Sequence, residues 1–318
     1  MSIKIDLNDK KILHELDKNA RISYSEIAKK IRLSKNSVIN RIKVLEKNKI
    51  ILGYNALINV NNLGYTTYDI YLKFKDSSFE KEQEIISDLI KNKHAWLVAK
   101  VEGNINLSLL ISTKTPEEFD QIWDKIYQKI KPYVEVTRIA ILLEYHHFPR
   151  KYLMDKYEKE TTIIAKRGNN KIDKTDEQLI KLISSNARIS LLELSNKLNM
   201  TTKTIAARIK HLEKEKIILG YRVNLNFQEM GYNYYKLMIN LNDLGIRKQM
   251  YNFIQAHKNV VYFDKFIGGS DFEFDVEIES FDKFTAFLDE LKKKFGHLIN
   301  NYNYLNPTMI YKSNYFSN

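Results

Sequence analysis

The chain repeats itself, and the repeat decides most of what it can fold into. Shifted by 167 residues, Asp6 falls on Asp173, and the next sixty positions run without a gap. Of the 60 positions from Asp6 to Tyr65, 24 are identical. Asn19–Ser23 and Asn186–Ser190 both read NARIS, and Arg41–Tyr54 (RIKVLEKNKIILGY) meets Arg208–Tyr221 (RIKHLEKEKIILGY). Two copies at so long a period are a domain duplication; a solenoid needs shorter repeats and at least three of them.

Within each copy the first fifty residues carry helical spacing. About Asn8–Lys18 places Ile12, Leu13 and Leu16 on one face. A second helix opens at the capping box Ser23-x-x-Glu26 and turns Ile27, Ala28 and Ile31 inward. After the short connection Arg32-Leu33, a third helix starts at the N-cap Ser34 and runs to about Lys47, with Val38, Ile42 and Leu45 inward. The second copy repeats these signals at Ser190-x-x-Glu193 and Thr201, with Ile205, Ile209 and Leu212 inward. Two helices on a tight turn, the latter basic, are the pattern of a helix-turn-helix.

Such a motif meets DNA with the outer face of its last helix. In the first copy that face offers Lys35, Asn36, Ser37, Asn40, Lys43 and Lys47; in the second, Thr202, Lys203, Thr204, Lys210 and Lys214. Asn36, Ser37 and Asn40 stand where base edges are read, and asparagine pairs bidentately with adenine. The lysines further along meet phosphates and add affinity without sequence information. Arg41 and Arg208 are set apart as ties between the helix and its neighbours. The charge supports this division. The net charge is +12, and residues 1–54 carry +7, 148–170 carry +3 and 171–221 carry +4, whereas 55–147 carry −2 and 222–318 are neutral. Concentration of the excess in the short helical segments points to polyanion contact there.

After Tyr54 the period changes. Strands at Tyr65–Lys75, His94–Glu102, Ile105–Ser112 and Glu135–His146 alternate with helices at Phe79–Lys91 and from Thr115-Pro116-Glu117-Glu118, in the order β-α-β-β-α-β. The second copy gives the same order, with strands at Tyr232–Leu241, Val260–Ile267, Phe272–Glu279 and Asn300–Tyr311 and helices at Ile246–His257 and Phe281–Phe295. This is the ferredoxin-like arrangement, whose sheet has helices on one face and needs a partner on the other. The expected fold is α+β. A helix-turn-helix domain spans 1–54, a ferredoxin-like domain 55–147, a polar linker 148–170 with one helical turn around Tyr152–Tyr157, and the second pair 171–221 and 222–318. The two ferredoxin-like domains are expected to pack sheet to sheet within one chain.

The pattern D-x-x-D-x-x-I-L, N-A-R-I-S-x-x-E-I-A, L-S, R-I-x-x-L-E and I-I-x-G-Y, followed by β-α-β-β-α-β, resembles the Lrp/AsnC (feast/famine) family of transcription regulators, over nearly the whole chain and twice. The resemblance implies a winged helix-turn-helix on double-stranded DNA, dimerisation through the sheet, higher assembly, and an amino acid or related effector near a G-x-x-D loop of the central hairpin. That loop matches Gly268–Asp271; in the first copy it reads Gly103 to Asn106, with asparagine in place of the acid. The plainer reading of both loops is a turn that needs glycine. Lys49 and Lys216 stand where the family has the glycine that ends the recognition helix, so another ending is expected.

Other classes are narrowed by what is missing. There is no cysteine, hence no disulfide, thiolate nucleophile or cysteine-ligated metal. No apolar run reaches 18 residues, so no membrane span is expected, and the start lacks the apolar core of a secretory signal, which fits a cytoplasmic protein. No Walker loop, H-E-x-x-H or G-x-S-x-G is present, and neither a metal nor a cofactor is expected. Two alternatives stay open: a sensor or assembly protein with degenerate DNA-binding domains, and an enzyme like the siroheme decarboxylases, which resemble this family in fold. The seven histidines are scattered, and His146 and His147 point to opposite faces of a strand.

Overall fold

The computed structural model describes residues 5–154 and 163–313. Each copy begins with three helices, α1 (Leu7–Lys18), α2 (Tyr24–Ile31) and α3 (Lys35–Lys47) in the first, and α6 (Lys174–Ser185), α7 (Leu191–Leu198) and α8 (Thr202–Lys214) in the second. The N-caps fall where side-chain chemistry asks for them. Asp6 and Asp9 form a capping box on α1, Ser23 and Glu26 another on α2, and Ser34 and Thr201 accept the N–H of Ser37 and Thr204 at the heads of α3 and α8.

Each trio runs into a strand that the helical reading did not anticipate. β1 (Ile51–Ile58) and β7 (Ile218–Leu225) pair antiparallel with each other, Tyr54 opposite Val223 and Ala56 opposite Tyr221. The domain boundaries drawn after residues 54 and 221 therefore fall inside strands. The partner of each strand lies some 165 residues away, which is why no local signal announces the pairing.

The remaining strands are β2 (Thr66–Phe74), β3 (Ala95–Glu102), β4 (Leu107–Thr113) and β5 (Val134–His147) in the first copy, with helices α4 (Phe79–Lys91) and α5 (Pro116–Ile130). A short β6 (Ile163–Ala165) follows, and the second copy supplies β8 (Asn233–Leu241), β9 (Val260–Ile267), β10 (Phe272–Ile278) and β11 (Ile299–Ser313), with α9 (Arg247–Ala256) and α10 (Phe281–Phe295). The β-α-β-β-α-β order is as expected in both copies. The expected packing of two separate sheets is corrected in one respect. β5 pairs with β2 through its first half and with β9 through its second, and β11 likewise leaves β8 to pair with β3. The exchanged strands join the two sheets into one closed ring of eight, β2-β4-β3-β11-β8-β10-β9-β5, with β6 added to the outer end of β5. Closure removes the open sheet edges.

Period-two alternation sorts the side chains of this barrel. Ile70 and Leu72 of β2, Leu107, Leu109 and Ile111 of β4, and Phe272, Phe274 and Val276 of β10 face the helices and form the two apolar cores. The alternate residues face the barrel interior, and many are charged: Asp69, Lys236, Glu273, Asp275 and Glu277 are all buried or nearly so.

The segment 148–170 is more than a linker. Phe148, Arg150, Lys151, Tyr152 and Leu153 are buried, and the predicted helical turn is a 3-10 turn at Lys151–Leu153; its expected continuation to Tyr157 lies outside the described residues. Further on, Gly168 and Asn170 donate backbone hydrogen bonds to the carbonyls of Asn61 and Asn62. Polar composition suggested exposure, but apolar aromatics and one arginine set the outcome. No helix among the described residues is long and apolar enough to cross a membrane.

Candidate nucleic-acid interface

The inner side of α3 is fixed by Val38, Ile42 and Leu45, each at most 1% exposed. That burial leaves Lys35, Asn36, Asn40, Lys43 and Lys47 exposed on the other side, with Ser37 half-buried between them. In α8, Ile205, Ile209 and Leu212 are buried and Thr202, Lys203, Thr204, Lys210 and Lys214 are exposed. Thr204 is already engaged, its hydroxyl 2.9 Å from that of Thr201. None of the six lysines makes an ion pair with a described residue, so their ammonium groups are available to phosphate.

Arg41 and Arg208 are ties, as set apart from the sequence. Arg41 Nη1 donates to Asp6 at 2.7 Å and Asp9 at 2.8 Å; Arg208 Nη1 donates to Asp173 and Asp176, each at 2.8 Å. These pairs lock the recognition helix to the cap of the first helix. The Asp6 carboxyl is held below its ordinary range by the Asp9 N–H first and by Arg41 beside it.

The end of the recognition helix is where expectation and structure part. With lysine in place of glycine, another kind of ending was expected. The ending is nonetheless a Schellman motif: Ile50 N–H donates to Leu45 O at 2.9 Å, Lys49 N–H donates to Glu46 O at 3.0 Å, and Lys49 takes φ 57°. Lys216 repeats it, also at φ 57°, with Ile217 and Lys216 donating to Leu212 and Glu213. The two hydrogen bonds and the burial of Ile50 and Ile217 outweigh the steric cost of a Cβ in the left-handed region.

The NARIS repeat proves to be the device that pairs the two DNA-binding domains. Arg21 Nη1 donates to Ala187 O at 2.8 Å, and Arg188 Nη1 donates to Ala20 O at 2.6 Å and Ile22 O at 3.1 Å. Ala20 N–H donates to Tyr221 O, and Ala187 N–H to Tyr54 O. Each arginine also lies over the opposite copy's tyrosine, 5.3 Å from the ring centroid in both cases. Each of those tyrosines donates its hydroxyl to a glutamate at the end of its own recognition helix, Glu46 or Glu213, at 2.6 Å. The repeat was visible in the sequence; its reciprocity was not, because it joins residues about 166 apart.

A buried ionic joint connects this pair to the barrel. Arg150 donates from its backbone N and Nη1 to Asp17 of α1, at 3.0 and 2.7 Å, and from Nε and Nη2 to Glu277 of β10, at 2.8 and 2.9 Å. Arg222 of β7 donates to the same Asp17 at 2.8 Å. Burial pushes the Asp17 carboxyl up, but Arg222 and Arg150 outweigh it and hold it below its ordinary range. Nothing local in the sequence marked Asp17, Arg150 or Arg222.

The hairpin residues fall at matching places. Gly103 and Gly268 have φ of +129° and +79°. Asn106 Oδ1 accepts from Phe74 N–H at 2.8 Å, and Asp271 Oδ2 from Leu241 N–H at 2.9 Å, so both side chains cap the end of the neighbouring strand. Asp271 has a further partner among the described residues, Arg247 Nη2 at 3.2 Å.

Comparison with known proteins agrees with this geometry. The model of winged helix-turn-helix DNA-binding domains matches twice, over residues 5–51 and 172–218. The HTH-type transcriptional regulator LrpA of Pyrococcus horikoshii is 34% identical over 142 residues, 44% of this chain and 97% of the relative. The proline dehydrogenase transcriptional activator of Rhodobacter capsulatus is 28% identical over 149 residues, 45% of this chain and 94% of its own. The crystal structure of the siroheme decarboxylase NirDL matches 98% of this chain and 94% of that one with a TM-score of 0.63 at 10% identity, a likeness of fold alone. The single-unit relatives match a little under half of this chain, as a duplication requires. The chain belongs to the Lrp/AsnC family of helix-turn-helix transcriptional regulators, with the family unit present twice.

Proposed function

We propose that this DNA-binding transcriptional regulator works as a covalent pseudo-dimer, one chain presenting α3 and α8 to a single site in successive major grooves, roughly 34 Å apart along the duplex. The observation that carries the reading is the reciprocal pairing of the two DNA-binding domains through β1–β7 and the two NARIS arginines, which presents both recognition helices from one chain. In this reading Asn36, Ser37 and Asn40 contact base edges in the first half-site, and Thr202, Lys203 and Thr204 contact the second. Lys35, Lys43, Lys47, Lys210 and Lys214 bind phosphates. Because Ala206 and Ala207 stand where the first copy has Ile39 and Asn40, the two half-sites differ and the preferred operator is asymmetric. An amino acid or similar zwitterion is assigned to the second hairpin, where Asp271 and Arg247 offer opposite charges with side chains 32% and 43% exposed; with buried Ile85 and Leu89 matched to Met250 and Ile254, Glu82 of the first copy stands where the second has Arg247. Fold likeness to a decarboxylase carries no chemistry by itself.

The test is fluorescence anisotropy on fragments from upstream of the protein's own gene, across a salt series, with the intact chain and with Lys35, Asn40 and Lys43 changed to alanine. Tight binding to one fragment is expected, with a salt slope that the triple variant flattens by about two counterions, one for each lysine lost. Equal weak binding to every fragment, or an unchanged slope in the variant, overturns the assignment of the first recognition helix.

A further inference from the structure

The barrel is not filled to its middle. Between its two inner faces, and bounded in part by residues 222–225 of the β1–β7 ribbon, lies a chamber of about 260 Å³. Trp96, Tyr71 and Phe266 give it aromatic walls, and Asp69, Lys236 and Asp275 stand among them.

The charges around this chamber do not balance. Four cationic side chains serve it directly or one contact away: Arg138, Arg150, Arg222 and Lys236. Six carboxylates answer them: Asp17, Asp69, Asp264, Glu273, Asp275 and Glu277. Arg150 and Arg222 are committed to Asp17 and Glu277. Arg138 bonds Asp69 and Glu273, and Lys236 bonds Asp264 at 2.5 Å. Asp275 is the least well answered of the six: Tyr234 hydrogen-bonds its carboxylate, and it shares Lys236 with Asp264 and Glu273, the Nζ standing 3.6 Å from its Oδ1. It is 5% exposed, and that Oδ1 has no hydrogen-bond partner among the described residues. His147, which also lines the chamber, is driven toward its neutral form by burial and adds no compensating charge. A second polar atom, Arg222 Nε, is buried without an acceptor.

Buried polar atoms in native proteins are ordinarily satisfied, so an acceptor and a donor orphaned on the wall of one cavity mark what it is built to hold. Asp275 Oδ1 asks for a donor, and a cationic donor would also hold its carboxyl in the ionised form. Among the described residues no three acidic or imidazole groups converge to hold a metal ion, whereas aromatic faces suit an organic ammonium.

We propose that the chamber is a binding site for a small primary amine with an apolar body, its ammonium donating to Asp275 Oδ1 and its body lying against Trp96 and Phe266. At about 260 Å³ the space is at or below the small end of ligand pockets, roughly 300–1,000 Å³, so the ligand is a single-ring or short-chain amine. An oxygen on that ligand would take the free N–H of Arg222.

The experiment is calorimetric titration of the full chain near neutral pH with benzylamine and tyramine, and with benzyl alcohol and benzoate as the neutral and anionic counterparts. Stoichiometric binding of at least one amine is expected, with benzyl alcohol and benzoate at least tenfold weaker. Asp275→Asn should weaken the amine about tenfold or more, the loss of one charge-assisted hydrogen bond. Should that variant fail to fold, Leu110→Phe, which projects a larger side chain into the chamber from β4, must abolish binding while the circular dichroism spectrum is retained. Absence of heat with both amines overturns the proposal, as does equal binding of benzyl alcohol or binding that survives the variant. None of these readouts involves DNA, so they stand apart from the test of the recognition helices.

Discussion

Lys49 and Lys216 hold φ of 57° on the last turn of each recognition helix, a conformation that costs an L-residue with a Cβ about 1–2 kcal/mol. Glycine relieves that strain but loses about 0.5–1 kcal/mol more backbone entropy on folding. Lys49→Gly and Lys216→Gly should therefore each stabilise the protein by about 0.5–1 kcal/mol, read as a rise in Tm of a few degrees, with the helix end unchanged. A fall in Tm would show that these lysines make contacts worth more than the strain. The ending could not be read from residue type: the sequence says which residue is missing, and the two hydrogen bonds of the motif decide the conformation anyway. A second residue-scale expectation concerns pH. Burial pushes Asp69 up to about 6 and Asp275 up to about 7, against the pull of Arg138 and Lys236 respectively. A carboxyl with a raised folded pKa contributes stability that is full below its unfolded value near 3.8 and lost as pH rises through the folded one. Asp17, held low, works in the opposite sense at acid pH. Thermal melts at about pH 5 and about pH 8 should show the wild type losing more stability over that interval than Asp275→Asn does. Equal losses would mean that Asp275 does not titrate there.

At the scale of elements, the parts that local chemistry sets were legible and the parts set by distant partners were not. Ser23, Ser34, Ser190 and Thr201 cap the helices assigned to them, and the strand order of both ferredoxin-like domains came from alternation and turn signals. β1 and β7 escaped notice because Ile51–Ile58 reads as the tail of a helical unit until Ile218–Leu225 is laid beside it. The candidate DNA-reading faces were legible for the same local reason: burying one side of an amphipathic helix exposes the other. The coupling between the two faces was not. It rests on Arg21 and Arg188, whose guanidinium groups hold carbonyls of the opposite copy. Arg21→Ala with Arg188→Ala should remove this latch and leave each three-helix core folded, since Ile12, Leu16, Val38 and their counterparts are untouched. At about 1 kcal/mol for each hydrogen bond lost, amides of the β1–β7 ribbon should exchange at least tenfold faster and DNA affinity should fall by a similar factor. Unchanged exchange would show that the strand pairing alone sets the spacing of the helices.

At the scale of the whole molecule, the two halves have diverged toward each other. Asp69 of β2 aligns with Lys236 of β8, and the inward positions occupied by Asp264, Glu273, Asp275 and Glu277 in the second copy are Ala99, Ser108, Leu110 and Ser112 in the first. The acidic inner face of the second copy is thus answered by Arg138 from the first and by its own Lys236. Two second copies facing each other would bury eight carboxylates of this set against two lysines, a cost no apolar contact in the chamber offsets. Like-with-like pairing is disfavoured by charge, and the chain closes on itself. The duplication was plain in the sequence; which strand face turned inward was not, because alternation sorts residues into two faces without saying which one meets helices. Two outcomes follow. Sedimentation should find a compact single-chain unit of 37.6 kDa that persists on dilution, since the barrel is complete within one chain. Lys236→Asp should destabilise by about 3–5 kcal/mol, the cost of leaving buried carboxylates uncompensated, with Tm falling by roughly ten degrees or more. The same change at Lys265 of β9, whose side chain is 50% exposed and pairs with Glu144 at 3.7 Å, should cost about 1 kcal/mol or less. Equal effects at the two positions would mean that the interior charges do not specify which half pairs with which.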